Sequence, residues 1–278
     1  MTPISAYAYI AGVITPPESA GRAPGDRPLR GRTALVTGAG NGLGRAISIA
    51  LSGAGARVVL TGRTAASLDE TAALVPGPSR VATVDVASAD SVAALADAVA
   101  DEPVDILVNN AGVPGPVKPL VEIEPDEWDA VFAVNVRGMY LMCRAFVPPM
   151  VARGSGDVVN LASVSGKRPL AMRTPYCASK MAVIGLTTTL GAEVGQAGVR
   201  VNTLSPGPVR GPRMARNFRL EAARLGITEQ EAERAFAARA TLGRLLEESE
   251  VGDAVVAILL MSGLHCADID LSAGMVGR

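Results

Sequence analysis

The feature that most constrains the fold of this 278-residue chain is an alternation that begins at Thr33. Short, continuously apolar, β-rich runs take turns with stretches of helical spacing. The runs are TALVTG (33–38), RVVLTG (57–62), RVATVDV (80–86), VDILVNNAG (104–112), GDVVNLASVSG (156–166), RVNTLSPG (200–207) and ADIDLSAG (267–274). After the first run, Ile47, Leu51 and Ala54 fall on one helical face. SLDETAALV reads as a helix stopped by Pro76, and SADSVAALADAVAD as a helix with Ser or Asp as its cap. Long helices are predicted over about 127–150 and 175–196, an arginine-rich helical insert over about 210–240, and a helix near 247–261. Strands alternating with helices imply parallel pairing with right-handed crossovers. Apolar runs that do not alternate with polar residues imply a sheet covered on both faces. The pattern predicts one doubly wound α/β sheet, with ligands outside the carboxyl ends of its strands.

The domain is expected over residues 31–278, preceded by an N-terminal extension, 1–30. The opening MTPISAYAYIAGVITPPES has the apolar length of a signal peptide but no basic n-region, and prolines follow it. Tyr7, Tyr9 and Ile10 could pack on the domain or on a neighbour, and a flexible extension is the simpler expectation. With 49% hydrophobic and 19% charged residues the chain can bury a sizeable core. A net charge of −1 gives no global basic field for nucleic acid or a membrane surface. There is no run of 18 apolar residues, so no membrane span is expected. One histidine, His265, and three scattered cysteines, Cys143, Cys177 and Cys266, leave little for a metal site, and none is predicted. The cysteines suit a reducing compartment, so a cytoplasmic location is expected. A Ser-His-Asp hydrolase would have to use His265.

Thr37 to Gly44, TGAGNGLG, joins the first strand to the first helix. A pyrophosphate must approach backbone closely at a helix N-terminus, where open N–H groups and the dipole favour an anion and a side chain would obstruct it. Gly38, Gly42 and Gly44 supply that space. The alternative is a glycine turn without a ligand; the strand before and the helix after favour the site. The spacing G-x-x-x-G-x-G resembles that of the short-chain dehydrogenase/reductase family, whose turn reads TGxxxGxG. The resemblance runs over about residues 32–278. It implies a single Rossmann-type sheet with helices on both faces, and an enzyme that moves a hydride between nicotinamide and a carbonyl or alcohol carbon. It also places Asn41 and Leu43 of the turn against the cofactor.

A carboxylate ending the second strand would bind the ribose hydroxyls of NAD. That position is Gly62, and Arg63 follows. A guanidinium suits a 2′-phosphate, so the expected cofactor is NADP(H), with NAD(H) as the alternative if Arg63 is merely a solvated loop residue. By resemblance, Asp85 and Val86 meet the adenine end. Asn110, Ala111 and Gly112 of the NNAG segment line the cofactor, although its asparagines could be purely structural. Pro206, Gly207 and Val209 face the nicotinamide. The family often has threonine where Gly211 stands, which puts one cofactor hydrogen bond in doubt.

Carbonyl reduction needs an acid for the developing alkoxide, and a free tyrosine, titrating near pH 10, needs a nearby cation to serve. Tyr176 and Lys180 are four residues apart and share a helix face. Ser163 lies 13 residues before Tyr176, at the end of the fifth strand. Asn135 lies in NVRG of the preceding long helix. Four positions in register with the glycine turn resemble the family's catalytic set. The resemblance makes Tyr176 the general acid, or the base in oxidation. Lys180 lowers the tyrosine pKa and holds the nicotinamide ribose, Ser163 binds the substrate oxygen, and Asn135 supports a water relaying protons to Lys180.

Selectivity is expected in the loops 113–119, 164–174 and 210–240. They carry Lys118, Lys167, Arg168, Arg173, Arg210, Arg213, Arg216 and Arg219, which allow an anionic or carrier-bound substrate or, more simply, a solvated face. Residues three apart drift around a helix, so Arg210 to Arg219 cannot all face one ligand. Met172, Met214 and Phe218 could line an apolar site or only pack. The expected partners are a small carbonyl or alcohol substrate and further copies of the chain, as a homodimer or homotetramer built on the two long helices. The competing readings are an NAD-linked alcohol dehydrogenase and a dinucleotide-sensing protein without turnover.

Overall fold

A computed structural model describes residues 27–168 and 170–276. The seven expected strands form one sheet in the order β3-β2-β1-β4-β5-β6-β7. They are β1 Thr33–Thr37, β2 Arg57–Gly62, β3 Ser79–Thr83, β4 Ile106–Asn109, β5 Gly156–Leu161, β6 Val199–Pro206 and β7 Asp268–Leu271. Every neighbouring pair is parallel. The order reverses between β1 and β4, so a crevice opens there beyond the strands' carboxyl ends.

Successive strand side chains point to opposite faces. Leu35, Val59, Leu107, Val158 and Val201 therefore share one core with Val92, Leu95, Met142, Phe146 and Val183. These come from α3 (Ala89–Ala98), α5 (Met139–Arg153) and α6 (Thr174–Val194). Val36, Val58, Leu60, Val108 and Leu204 face the other core. There Ile47 and Leu51 of α1 (Gly42–Gly53) meet Val251 and Val255 of α9 (Glu248–Leu260), with Leu68 of α2 (Ala65–Ala72) beside them. Leu29 is also fully buried in this core, and its N–H donates to the carbonyl of Ala54 at 2.9 Å. The packed fold thus includes Leu29, which the sequence assigns to the extension. Tyr7, Tyr9 and Ile10 lie outside the described residues.

The helix expected over 127–150 is a longer helical run with a change of pitch. α4 (Pro125–Phe132) starts at a capping box in which Glu124 N–H donates to the Glu127 carboxylate at 3.0 Å. A π turn, Ala133–Gly138, then leads into α5, which Gly154 ends in the left-handed conformation. A 3.6-residue period does not show an i→i+5 turn, and such turns gather at functional sites. The run 125–153 is long and apolar enough to cross a membrane by length and composition, yet half of its most apolar stretch is buried inside the protein. The insert is two helices, α7 (Pro212–Leu225) and α8 (Glu229–Ala237). They are divided by Gly226 at φ +67° and by a Thr228/Glu231 capping box.

Candidate active site

A cleft of about 1190 Å³ opens at the switch point, with the glycine turn on one side and α7–α8 on the other. Gly38 and Gly42 adopt φ of +67° and +51°, and a Cβ at Gly44 would overlap the Gly38 carbonyl. The turn thus depends on glycine conformation at two positions and on absent volume at a third. Asn41 caps α1 without a side-chain hydrogen bond, so it does not cover the helix's first N–H groups. Open N–H donors beside a cradle without side chains fit a pyrophosphate. Asn110 shapes this cradle, its amide donating to the carbonyls of Thr37 at 2.8 Å and Gly38 at 3.3 Å. Thr37 Oγ1 in turn accepts from the N–H groups of Asn110 at 2.9 Å and Ala111 at 3.0 Å.

Arg63 borders the cleft just past β2, exposed, and makes no ion pair among the described residues. Arg45, the other cation near the turn, is engaged by the Gly40 carbonyl at 2.7 Å, Thr71 at 3.0 Å and Glu70 at 2.9 Å. Asp85 and Val86 also line the cleft; Asp85 Oδ1 accepts from the N–H of Ala87 at 3.0 Å. Past β6, Gly207 N–H donates to Leu271 at 2.7 Å. Leu246 accepts from Arg210 N–H at 2.7 Å and donates to Pro208 at 3.0 Å. These two bonds form a parallel bridge opposite Val209, leaving that residue's own N–H and carbonyl facing away from Leu246.

The four expected catalytic residues come from three elements and meet in the same cleft region. Ser163 is buried two residues beyond β5, and its Oγ accepts from Ser165 N–H at 3.2 Å. Tyr176 sits in the first turn of α6, half-buried. Lys180 Nζ lies 5.8 Å from the Tyr176 ring centre and donates to the Leu161 carbonyl at 2.7 Å. Ser163, Tyr176 and Lys180 line the cleft directly. Asn135, in the π turn, stands behind it, fully buried. Its Oδ1 accepts from Val113 N–H at 2.8 Å, and its Nδ2 donates to the Val113 carbonyl and to Ser179 Oγ, both at 3.0 Å. A second buried chain, Asn109 to Asn160 at 2.9 Å and Asn160 to Thr187 at 2.9 Å, ties β4, β5 and α6 together.

His265 lies elsewhere. Its Nδ1 accepts from Val201 N–H at 3.2 Å, and its Nε2 lies 3.2 Å from the Gly191 carbonyl. Gly191 is 15 residues beyond Tyr176 on the same helix, about 22 Å at 1.5 Å per residue. A Ser163–His265 hydrolase pair is therefore not assembled.

The structure sorts the loop cations. Lys118 pairs with Glu127 at 2.6 Å, Lys167 is buried between Asp268 and Asp270, and Arg210 pairs with Glu233 and Glu247. Arg216 and Arg219 are exposed and do not line the cleft, while the Arg213 side chain lies outside the described part. Arg168 and Arg173 do line it, as do Met172, Met214 and Phe218. Arg239 and Glu248 are among the cleft residues that the sequence-based expectations do not name. Arg239 lies over the Phe236 ring at 4.7 Å. Glu248 opens α9 with a carboxylate that a Cβ at Gly211 would approach to 2.9 Å. Burial holds the Glu248 carboxyl above the usual range, against the pull of Arg45. Long-range packing brings both to the cleft, so local spacing carries no sign of them.

The family model for short chain dehydrogenases matches residues 32–223. The chain belongs to the short-chain dehydrogenase/reductase family. It is similar to D-threitol dehydrogenase of Mycolicibacterium smegmatis, 44% identical over 186 residues that cover 65% of this chain and 71% of the relative. Among solved structures it is similar to a variant of actinorhodin polyketide ketoreductase with NADPH, at a TM-score of 0.84 and 32% identity, covering 88% of this chain and 97% of the other. It is also similar to an NAD+-bound xylitol dehydrogenase, at a TM-score of 0.83 and 27% identity, covering 89% and 100%. This short-chain dehydrogenase/reductase is thus an oxidoreductase of a nicotinamide-dinucleotide family.

Proposed function

We propose that this protein is an NADP(H)-dependent reductase of a ketone, working in reverse as a secondary-alcohol dehydrogenase, with Tyr176 as its acid and base. The observation that carries the reading is the meeting of Ser163, Tyr176 and Lys180 on the cleft that the glycine turn borders. The cofactor, when bound, supplies or accepts the hydride. Ser163 Oγ donates a hydrogen bond to the substrate oxygen. Tyr176 Oη gives that oxygen its proton in reduction and takes it back in oxidation. The Lys180 ammonium lies beside this ring, 5.8 Å from its centre, and is held there by the Leu161 carbonyl at 2.7 Å. Asn135 holds the Val113 backbone and Ser179 in place beside this group.

Arg63, beside Gly62 where an acid would favour NAD, supports NADP(H). The NAD+-bound xylitol dehydrogenase among the neighbours favours the second reading, an NAD-linked alcohol dehydrogenase. The substrate is a small carbonyl or alcohol compound acted on in the cytoplasm. Homo-oligomers are read from the apolar residues that α5 and α6 leave exposed, Tyr140 and Val151 on one and Met181 on the other.

The test follows NADPH and NADH consumption against a panel of ketones. Tyr176→Phe should lower turnover by about 10²–10⁴-fold while NADPH still binds. Arg63→Asp should shift preference toward NADH by about tenfold or more. Turnover that survives in Tyr176→Phe would refute the role of that residue, and a wild-type preference for NADH would establish the second reading.

A further inference from the structure

We propose that the substrate carries an anionic group at the end remote from its reacting carbon, and that Arg168 and Arg239 receive it. This deepens the oxidoreductase reading and rests on it. The cations around the cleft differ in what holds them. Those that hold the fold are matched by carboxylates: Lys118 by Glu127, Lys167 by Asp268 and Asp270, Arg210 by Glu233 and Glu247, Arg224 by Glu221. Arg168 and Arg239 are held in another way. Arg168 Nη1 donates to the Met275 carbonyl at 3.3 Å, and the Arg239 guanidinium rests on the Phe236 ring. A carbonyl and a ring face orient a cation without cancelling its charge. Neither arginine has an ion pair among the described residues, and both line the cleft.

The two also belong to one neighbourhood. Thr241 Oγ1 donates to the Gly274 carbonyl at 2.7 Å, and Leu242 N–H donates to Ala273 at 3.0 Å, so the chain following Arg239 is bonded to the same turn that holds Arg168. Ala240 packs there with Ala273 and Met275. The Glu221 carboxylate, which feels the field of Arg239, is already gripped by Arg224 through two bonds, at 2.7 and 3.0 Å. Arg168, Arg224, Arg239 and Glu221 all line the cleft, and of these Arg224 and Glu221 are matched to each other while Arg168 and Arg239 form no ion pair among the described residues. Apolar side chains, Val117, Leu170 and Met214 among them, contribute the cleft's greasy lining. The matching ligand is a ketone or secondary alcohol joined through an apolar spacer to a carboxylate or a phosphate, either of which a guanidinium binds through paired hydrogen bonds.

The experiment compares matched pairs. 5-Oxohexanoate is set against 5-oxohexanamide, and dihydroxyacetone phosphate against dihydroxyacetone, with wild type, R168E, R239E and the double variant. NADPH-linked kcat/KM is measured for each. Binding of the same four compounds to NADPH-loaded Tyr176→Phe protein, with and without the two arginine changes, is followed by calorimetry. The anionic member should lead its neutral partner by about tenfold or more in wild type, and the lead should disappear in the double variant while NADPH affinity and Tm are retained. The acid pair leading marks a carboxylate ligand, and the phosphate pair a phosphate. Equal values within both pairs, or a lead that survives the double variant, overturn the proposal and leave the oxidoreductase reading standing. No turnover of any ketone, with anions still bound through the two arginines, overturns the oxidoreductase reading instead. No anion binding to the loaded protein at millimolar concentration overturns the anion site.

Discussion

The two walls of the cleft are built on different principles. The cofactor wall is assembled from buried strand ends and backbone. Thr37, Asn110 and Asn135 are locked by side-chain bonds to main chain, and apolar residues on both sides of the sheet are fully enclosed. The substrate wall is two amphipathic helices over a small satellite core, in which Phe218, Ala222 and Ala232 pack with Leu245. Exposed ion pairs such as Arg210 with Glu233 and Glu247 fasten it, and pairs of that kind contribute little each. A rigid wall for the constant ligand and a looser one for the variable ligand is the arrangement expected where stability differs across a molecule. The comparison teaches that stability and specificity are separable here, and it is open to attack from both sides.

The hardest attack is on Lys167, which lies in a substrate-side loop yet has an enclosed side chain. Its ammonium is enclosed with Asp268 and Asp270, and Asp268 also accepts from Ser205 at 2.7 Å. Lys167→Met leaves the half-buried carboxylates of Asp268 and Asp270 without the cation they share. We predict a loss of about 3–5 kcal/mol and a Tm lower by about 10 °C, read by calorimetry. A loss below about 1 kcal/mol would move the rigid boundary away from this loop. Next comes Gly44→Ala, whose methyl would collide with the Gly38 carbonyl. The expected cost is about 2–3 kcal/mol, together with loss of NADPH binding. Retained binding would show that the cradle yields more than its bonding suggests.

Phe218→Ala tests the looser wall. The ring is 6% exposed and meets Phe236 edge-on at 5.9 Å. Its removal should cost about 3 kcal/mol locally. That cost should appear as about 100-fold faster hydrogen exchange within 212–240, with KM raised and the global Tm nearly unchanged. A global Tm that falls by the full amount would mean the two walls unfold as one, and the comparison would fail.

How much of this is legible in the sequence follows the same division. The cofactor wall is written locally: glycines between a strand and a helix, Tyr176 four residues before Lys180, apolar runs in βαβ order. Each is a short-range pattern, completed by residues close together in the chain. Asn135 is locatable by its family position, but the π turn that carries it is not, because periodicity does not distinguish i→i+5 from i→i+4 bonding. The substrate wall depends on partners far apart in sequence. Nothing near Lys167 announces Asp268 and Asp270, and nothing near Arg210 announces Glu247. The arginine-rich stretch therefore reads as one feature, whereas the structure divides its cations between paired struts, solvent and the cleft. Arg239 and Glu248 are illegible for the same reason.

Glu248 stands at the seam between the two walls and gives the finest test. Its carboxylate lies beside Gly211 and, more loosely, Gly42 of the phosphate turn. Burial raises its pKa first; Arg45 lowers it and Glu247 raises it again. An acid whose folded pKa exceeds its unfolded value costs stability only where it ionises. The penalty is absent below about pH 4.3, the ordinary range for Glu, and grows as pH rises through the folded value. Glu248→Gln removes the charge at every pH. The variant should match wild type near pH 4 and exceed it at pH 8 by about 1–2 °C in Tm. A pyrophosphate at the turn would feel the same charge, so the variant should also bind NADPH about threefold more tightly at pH 8, the gain shrinking with added salt. A rise in Tm without tighter binding would place Glu248 in the packing of α9 and the substrate wall. Both changes together would make it part of the cofactor wall, reached from the far end of the chain.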